Sequence, residues 1–204
     1  MSKTGIFGGT FNPVHKGHEK IALEFYDKFK LDKLIIIPAN IPPHKQIGGK
    51  ITAGQRFEMC GICFNKYKDY NICVSDCEIK NDNISYSYNT LTEIKNNDRD
   101  AKLYFLVGSD MFLYLENWYK YRDLFELCAF VVAFRDNRGR REVLELREKF
   151  IRSGAVIEML ENEAFEISSS EIRNNIKNNN LINLEKYMSA EVLDYIKENN
   201  IYAE

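Results

Sequence analysis

Two of the chain's three histidines fall within one short segment, Gly8-Gly9-Thr10-Phe11-Asn12-Pro13-Val14-His15-Lys16-Gly17-His18. The segment follows a brief apolar run and precedes a stretch with helical spacing. His15 and His18 are three residues apart at that helix start, so their imidazoles share one face. A helix N-terminus adds unpaired backbone N–H groups and the positive end of the dipole. Gly8 and Gly9 allow the backbone to come close to a ligand. Imidazoles, N–H groups and bare backbone at one place make a phosphate site. The bland alternative is a glycine turn with two incidental histidines, and the concentration of histidine here argues against it.

Three further clusters carry polar groups suited to a nucleotide. In Ile167-Ser168-Ser169-Ser170-Glu171-Ile172-Arg173, the Ser168-x-x-Glu171 spacing is a capping box that opens a helix, with Arg173 within a turn of it. Alone, that would be an ordinary cap. Pro42-Pro43-His44-Lys45 lies in a Pro/Gly-rich loop where Lys45 offers a mobile cation; alone, it would be an exposed loop lysine. Gly108-Ser109-Asp110 follows a buried strand, where an acidic side chain can hold ribose hydroxyls. Trp118, the single tryptophan, could stack on a flat ring or simply pack in the core.

The elements that must position these clusters are legible from periodicity. Apolar runs read as strands near 3–8, 34–37, 71–79, 102–107, 128–134 and 155–159. Helical spacing covers 17–30, 54–67, 87–97, 140–152, 169–178 and 189–199, with short helical pieces over 110–126. Alternating strands and helices predict an α/β fold: a Rossmann-like parallel sheet with helices on both faces and a small C-terminal helical extension. We read residues 1–204 as a single domain, with the C-terminal helices from about 169 to 204. No internal repeat is visible. In such sheets ligands sit beyond the carboxyl ends of the strands, which is where the clusters fall.

The first segment resembles the GxFxPxHxGH signature of the nucleotidyltransferase superfamily, and 167–173 resembles its Ile-Ser-Ser-Thr-x-Ile-Arg signature, with Ser170 for the usual Thr. Pro42–Lys45 resembles the Pro-Pro-His-Lys loop of the nicotinate mononucleotide branch. Gly108–Met111 with Trp118, and Ser85-Tyr86-Ser87-Tyr88-Asn89-Thr90-Leu91 with Ser87 for the usual Thr, resemble two more of its blocks. The resemblance runs from residue 5 to about 173. It implies adenylyl transfer from ATP to nicotinate mononucleotide, a step of NAD biosynthesis, with His15, His18, Lys45 and Arg173 catalytic. It assigns ATP contacts to Gly8, Gly9, Thr10 and Phe11, to Gly108 and Asp110, and to Ile167, Ser168, Ser169 and Arg173. It assigns mononucleotide contacts to Lys45, Ser87 and Trp118.

The nucleophile so implied is a 5′-phosphate, whose second pKa near ~6 leaves it largely dianionic at neutral pH, so no general base is needed. Mg2+ would ride on the ATP phosphates; the sequence shows no protein-only metal cage. Rival readings stay open: a relative acting on nicotinamide mononucleotide or phosphopantetheine, a small cytidylyltransferase sharing the first motif, or a nucleotide sensor without catalysis.

Composition bounds the partners. With 28 basic and 30 acidic residues the formal net charge is -2, so no strong field draws nucleic acid or an anionic membrane. No apolar stretch reaches the ~20 residues of a membrane span, and the N-terminus lacks a signal-peptide pattern. We read a cytoplasmic protein, compatible with a homo-oligomer. Five cysteines include a Cys60-x-x-Cys63 pair, with Cys73 and Cys77 beyond. Read on one strand, Cys73 and Cys77 would lie roughly 13 Å apart, too far for one zinc ion. Small apolar residues in a reducing setting is the favoured reading over zinc or redox chemistry.

Overall fold

The computed structural model describes residues 1–43, 47, 51–80, 84–134, 139–161, 168–180 and 184–203. Six parallel strands are ordered β3-β2-β1-β4-β5-β6, with β1 at Lys3–Gly9, β2 at Lys33–Pro38, β3 at Ile72–Val74, β4 at Lys102–Gly108, β5 at Ala129–Ala133 and β6 at Ile157–Leu160. The strand order reverses between β1 and β4, and that reversal opens a crevice at their carboxyl ends.

Side-chain alternation explains why helices cover both faces. On β2, Leu34 and Ile36 join one core while Ile35 and Ile37 join the other; on β4, Tyr104 and Leu106 oppose Leu103, Phe105 and Val107. A strand buried on both sides reads as an unbroken apolar run, as these do. Helices α1 (Lys16–Phe29), α2 (Ala53–Phe64), α7 (Ser169–Lys177) and α8 (Ala190–Glu198) place Phe25, Met59, Ile172 and Val192 in the first core. Helices α3 (Ser87–Asn97), α4 (Ser109–Leu113), α5 (Leu124–Leu127) and α6 (Arg140–Arg152) place Leu91, Phe112, Leu124 and Phe150 in the second.

One strand is shorter than its sequence suggests. The run 71–79 predicts a long strand, yet pairing stops after Val74. Ser75 still donates its N–H to Ile36, and the chain then turns, with the N–H groups of Ile79 and Lys80 on the Asp76 carbonyl. β3 is an edge strand with one neighbour, so nothing holds it extended once Asp76 favours a turn. Cys77 is therefore off the strand, and the spacing argument for separating it from Cys73 does not hold. Burial speaks for the other thiols: Cys60, Cys63 and Cys128 are buried, and that burial pushes each well above its ordinary pKa, away from the reactive thiolate.

Candidate active site

The loop from β1 to α1 is shaped by its own aromatic residue. Phe11 adopts a left-handed backbone (φ 48°) and buries its ring against Phe7 and His18, at centroid distances of 5.3 and 5.1 Å. The ring lies where a side chain on Gly9 would project: a Cβ there would meet Phe11 carbons at 3.0 and 3.1 Å. Gly9 thus has a packing reason to be glycine. Gly8 has a different one, because a Cβ there would make only ordinary contact with Phe105 at 3.6 Å while intruding on the cavity beside it.

His15 and His18 form a reciprocal cap on α1. The Nδ1 of His15 accepts the Gly17 N–H at 3.2 Å, and the Nδ1 of His18 accepts the His15 N–H at 3.2 Å. The rings lie with centroids 3.8 Å apart and planes tilted by 39°. An Nδ1 that accepts a backbone N–H carries no proton, so each neutral ring bears its proton on Nε2. The capping hydrogen bonds therefore fix both ring orientation and tautomer.

A second helix N-terminus meets this one. Ser168 caps α7 through the Glu171 N–H, Glu171 answers on the Ser168 N–H at 2.7 Å, and these contacts hold the Glu171 carboxyl below its ordinary pKa. Ser169 donates its hydroxyl to the Pro13 carbonyl at 3.0 Å, tying α7 to the β1–α1 loop. Arg173 spans both pieces, with Nη1 on the Asn12 carbonyl at 2.6 Å and Nη2 on the Ser170 hydroxyl at 3.1 Å.

These groups open on a cavity of about 480 Å³ at the strand-order reversal, of a size that accommodates a nucleotide-scale ligand. His15, His18 and Gly8 to Asn12 line the cavity, and Ser168 to Ser170 join them. Gly108 and Asp110 line the floor after β4. Ser87, Trp118 and Tyr119 also line the cavity, where Trp118 is half-buried and meets Phe105 edge-on at 6.1 Å. Trp118 thus belongs both to the cavity wall and to the margin of the second core. Arg173 holds the loop at Asn12 and is not among the described residues that line the cavity. Lys45 and Ile167 lie outside the described residues.

The structure adds residues that the sequence reading missed. Arg56 on α2 is 1% exposed, donating Nη1 to the Thr10 carbonyl at 2.8 Å and Nη2 to the Asn40 carbonyl at 3.0 Å. Its signal was present: it shares the apolar stripe of Met59, Cys60 and Cys63, where a charge needs a reason. Glu78 lines the cavity and accepts the Thr90 hydroxyl at 2.6 Å. Burial pushes its carboxyl up, opposed by the Thr90 and Ser85 hydroxyls. Ser85 in turn accepts the Asn40 N–H at 3.0 Å, so the wall near Ser87 is tied to the loop after β2.

Residues 6–175 match the cytidylyltransferase-like family. A protein from Clostridium botulinum (strain Loch Maree), named probable nicotinate-nucleotide adenylyltransferase, is 35% identical over 204 residues, spanning 99% of this chain and 100% of that one. The chain belongs to the nicotinate-nucleotide adenylyltransferase family. A Clostridium acetobutylicum protein of the same name is 35% identical over 206 residues, with the same coverage. The nicotinic acid mononucleotide adenylyltransferase of Plasmodium falciparum, solved in complex with NaAD, shares the fold at a TM-score of 0.81 and 21% identity, covering 100% of this chain and 98% of that one. As a member of this adenylyltransferase family, the chain is a nucleotidyltransferase enzyme, and its histidine pair, α7 cap and Trp118 all lie within the matched span.

Proposed function

We propose that the protein transfers the adenylyl group of ATP to the 5′-phosphate of nicotinate mononucleotide, giving nicotinate adenine dinucleotide and pyrophosphate. One observation carries the reading: two helix N-termini, those of α1 and α7, converge on a single cavity that Trp118 also lines. The converging ends suit a triphosphate, and the aromatic wall suits a pyridine ring. Membership of a family whose members carry this activity in their names supports the same substrates.

The mononucleotide phosphate attacks the α-phosphorus of ATP in line, forming one P–O bond as the bond to pyrophosphate breaks. The Nε2–H groups of His15 and His18 donate to the charge that builds on the phosphates, in positions fixed before the substrate arrives. Ser168, Ser169 and the N–H groups of α7 hold the other side of the triphosphate. Arg173 brings positive charge to that end through the loop it clamps, and Lys45 supplies a further cation. Gly8 to Phe11 and Gly108 give the backbone against which ATP lies, with Asp110 on the ribose hydroxyls. Ser87 and Trp118 receive the mononucleotide.

Mg2+ supplies charge neutralisation on the phosphates when bound. The ion would be held by the ATP phosphates and water rather than by a protein cage. No helix among the described residues is long and apolar enough to cross a membrane. The buried thiols of Cys60, Cys63 and Cys128 suit a reducing compartment, and the cytoplasm is the location we infer. Incubation with ATP, Mg2+ and, in turn, nicotinate mononucleotide, nicotinamide mononucleotide and phosphopantetheine tests the assignment. Dinucleotide should form fastest with the nicotinate acceptor, and preference for phosphopantetheine would reject it.

A further inference from the structure

The C-terminal helices reach back to the triphosphate loop. After α8, Ile201 is buried and Tyr202 takes a left-handed backbone with φ 68°, a conformation that side-chain-bearing residues rarely adopt. That turn delivers the Tyr202 hydroxyl to Asn12 Oδ1 at 2.5 Å. Asn12 is 7% exposed, and its backbone carbonyl is the acceptor for Arg173 at 2.6 Å. A single residue of the loop is therefore gripped at two atoms, by α7 through its carbonyl and by the chain's C-terminal segment through its side chain. Nearby contacts pull the same way: the Lys16 N–H donates to the Tyr187 carbonyl at 2.7 Å, and Lys16 Nζ to the Glu185 carbonyl at 2.6 Å.

We propose that Tyr202 is a positioning residue for ATP: by holding Asn12 it sets the loop that faces the triphosphate and the carbonyl that orients Arg173. The loop has reason to need a clamp. Phe11 is itself left-handed, and such backbone persists only where the surroundings over-determine it. Arg56 fixes the loop at the Thr10 carbonyl, Ser169 at the Pro13 carbonyl, and Tyr202 with Arg173 fix Asn12 between them. Burial pushes the Tyr202 phenol above its ordinary pKa, so it remains a donor throughout the physiological range. The C-terminal segment thereby acts on the reaction from outside residues 6–175, the part that matches the cytidylyltransferase-like family.

This inference rests on the reading of the cavity as an ATP site, and the test separates the two. Tyr202→Phe keeps the ring and removes only the hydroxyl. Loss of one hydrogen bond to the loop should raise KM for ATP about five- to tenfold. KM for nicotinate mononucleotide should stay within about twofold, because the hydroxyl removed is bonded to the loop assigned to ATP. Asn12→Ala removes the acceptor while leaving the backbone carbonyl to Arg173. It should reproduce the ATP effect, and adding Tyr202→Phe to it should change nothing further. An unchanged KM for ATP with only a lower melting temperature, or effects that multiply in the double variant, would overturn the clamp. Calorimetric Kd for ATP reads the clamp without turnover. A wild-type protein that binds ATP yet forms no dinucleotide rejects the transferase reading while Tyr202 is still judged by its Kd ratio. A wild-type protein that binds no ATP overturns both.

Discussion

His15 and His18 together cap the N-terminus of α1: His15 Nδ1 takes the Gly17 N–H and His18 Nδ1 takes the His15 N–H, with ring centroids 3.8 Å apart. The residues proposed to meet the triphosphate are thus also the cap that starts the helix. Orientation and tautomer are set without substrate, which is the condition under which a donor stabilises developing charge most effectively.

His18→Ala should therefore lower kcat about a hundred- to a thousandfold, equivalent to the ~2.7–4 kcal/mol typical of one preorganised donor. It also removes half of the cap, at a cost in stability of about 1 kcal/mol. Steady-state kinetics with a thermal melt separates the two losses. A folded variant with near wild-type kcat would remove His18 from the mechanism.

Arg173→Lys should be damaging although the charge is kept. The guanidinium reaches the Asn12 carbonyl with one nitrogen and the Ser170 hydroxyl with another, and an ammonium cannot span both. We expect kcat/KM for ATP to fall about tenfold, the loss of roughly one charge-assisted hydrogen bond. Equal values in the two proteins would show that Arg173 is interchangeable with any cation.

Trp118→Ala should raise KM for the mononucleotide about ten- to a hundredfold and leave KM for ATP nearly unchanged, as stacking on an aromatic ring is worth ~1–3 kcal/mol. Because Trp118 also borders the second core, a drop in melting temperature accompanies the change. A large drop with both KM values unaltered would make the residue structural alone.

Arg56→Met should cost stability and, by freeing the Thr10 carbonyl, should also raise KM for ATP. Its two carbonyl partners, on Thr10 and Asn40, would lose their donors in a buried place, at about 1–3 kcal/mol each. A thermal melt or urea titration measures this. A variant as stable as wild type would mean that both carbonyls find other donors.

The fold was legible because its strands are buried on both faces and so spell continuous apolar runs, as Leu34 to Ile37 and Ala129 to Ala133 do. The phosphate end was legible because its chemistry lies in short local segments, where His15 and His18 or Ser168 and Glu171 meet through helical spacing. Edge strand β3 was overread because nothing in the residues after Val74 announces a missing neighbour. Tyr202 and Asn12 were not legible at all: they are separated by nearly the whole chain, and only the packing of α8 against α2 and the first core brings them together. Arg56 was marked by a charge on an apolar face, yet its two carbonyl partners come from loops whose approach depends on the sheet.

The most direct test of adenylyl transfer follows the phosphorus. The protein is incubated with Mg2+, nicotinate mononucleotide and ATP labelled either at the α- or at the γ-phosphate. Attack at the α-phosphorus predicts that the α label appears in the dinucleotide and the γ label in pyrophosphate, in equal amounts. Transfer of the γ label to the mononucleotide, or its release as inorganic phosphate without dinucleotide, would contradict the account.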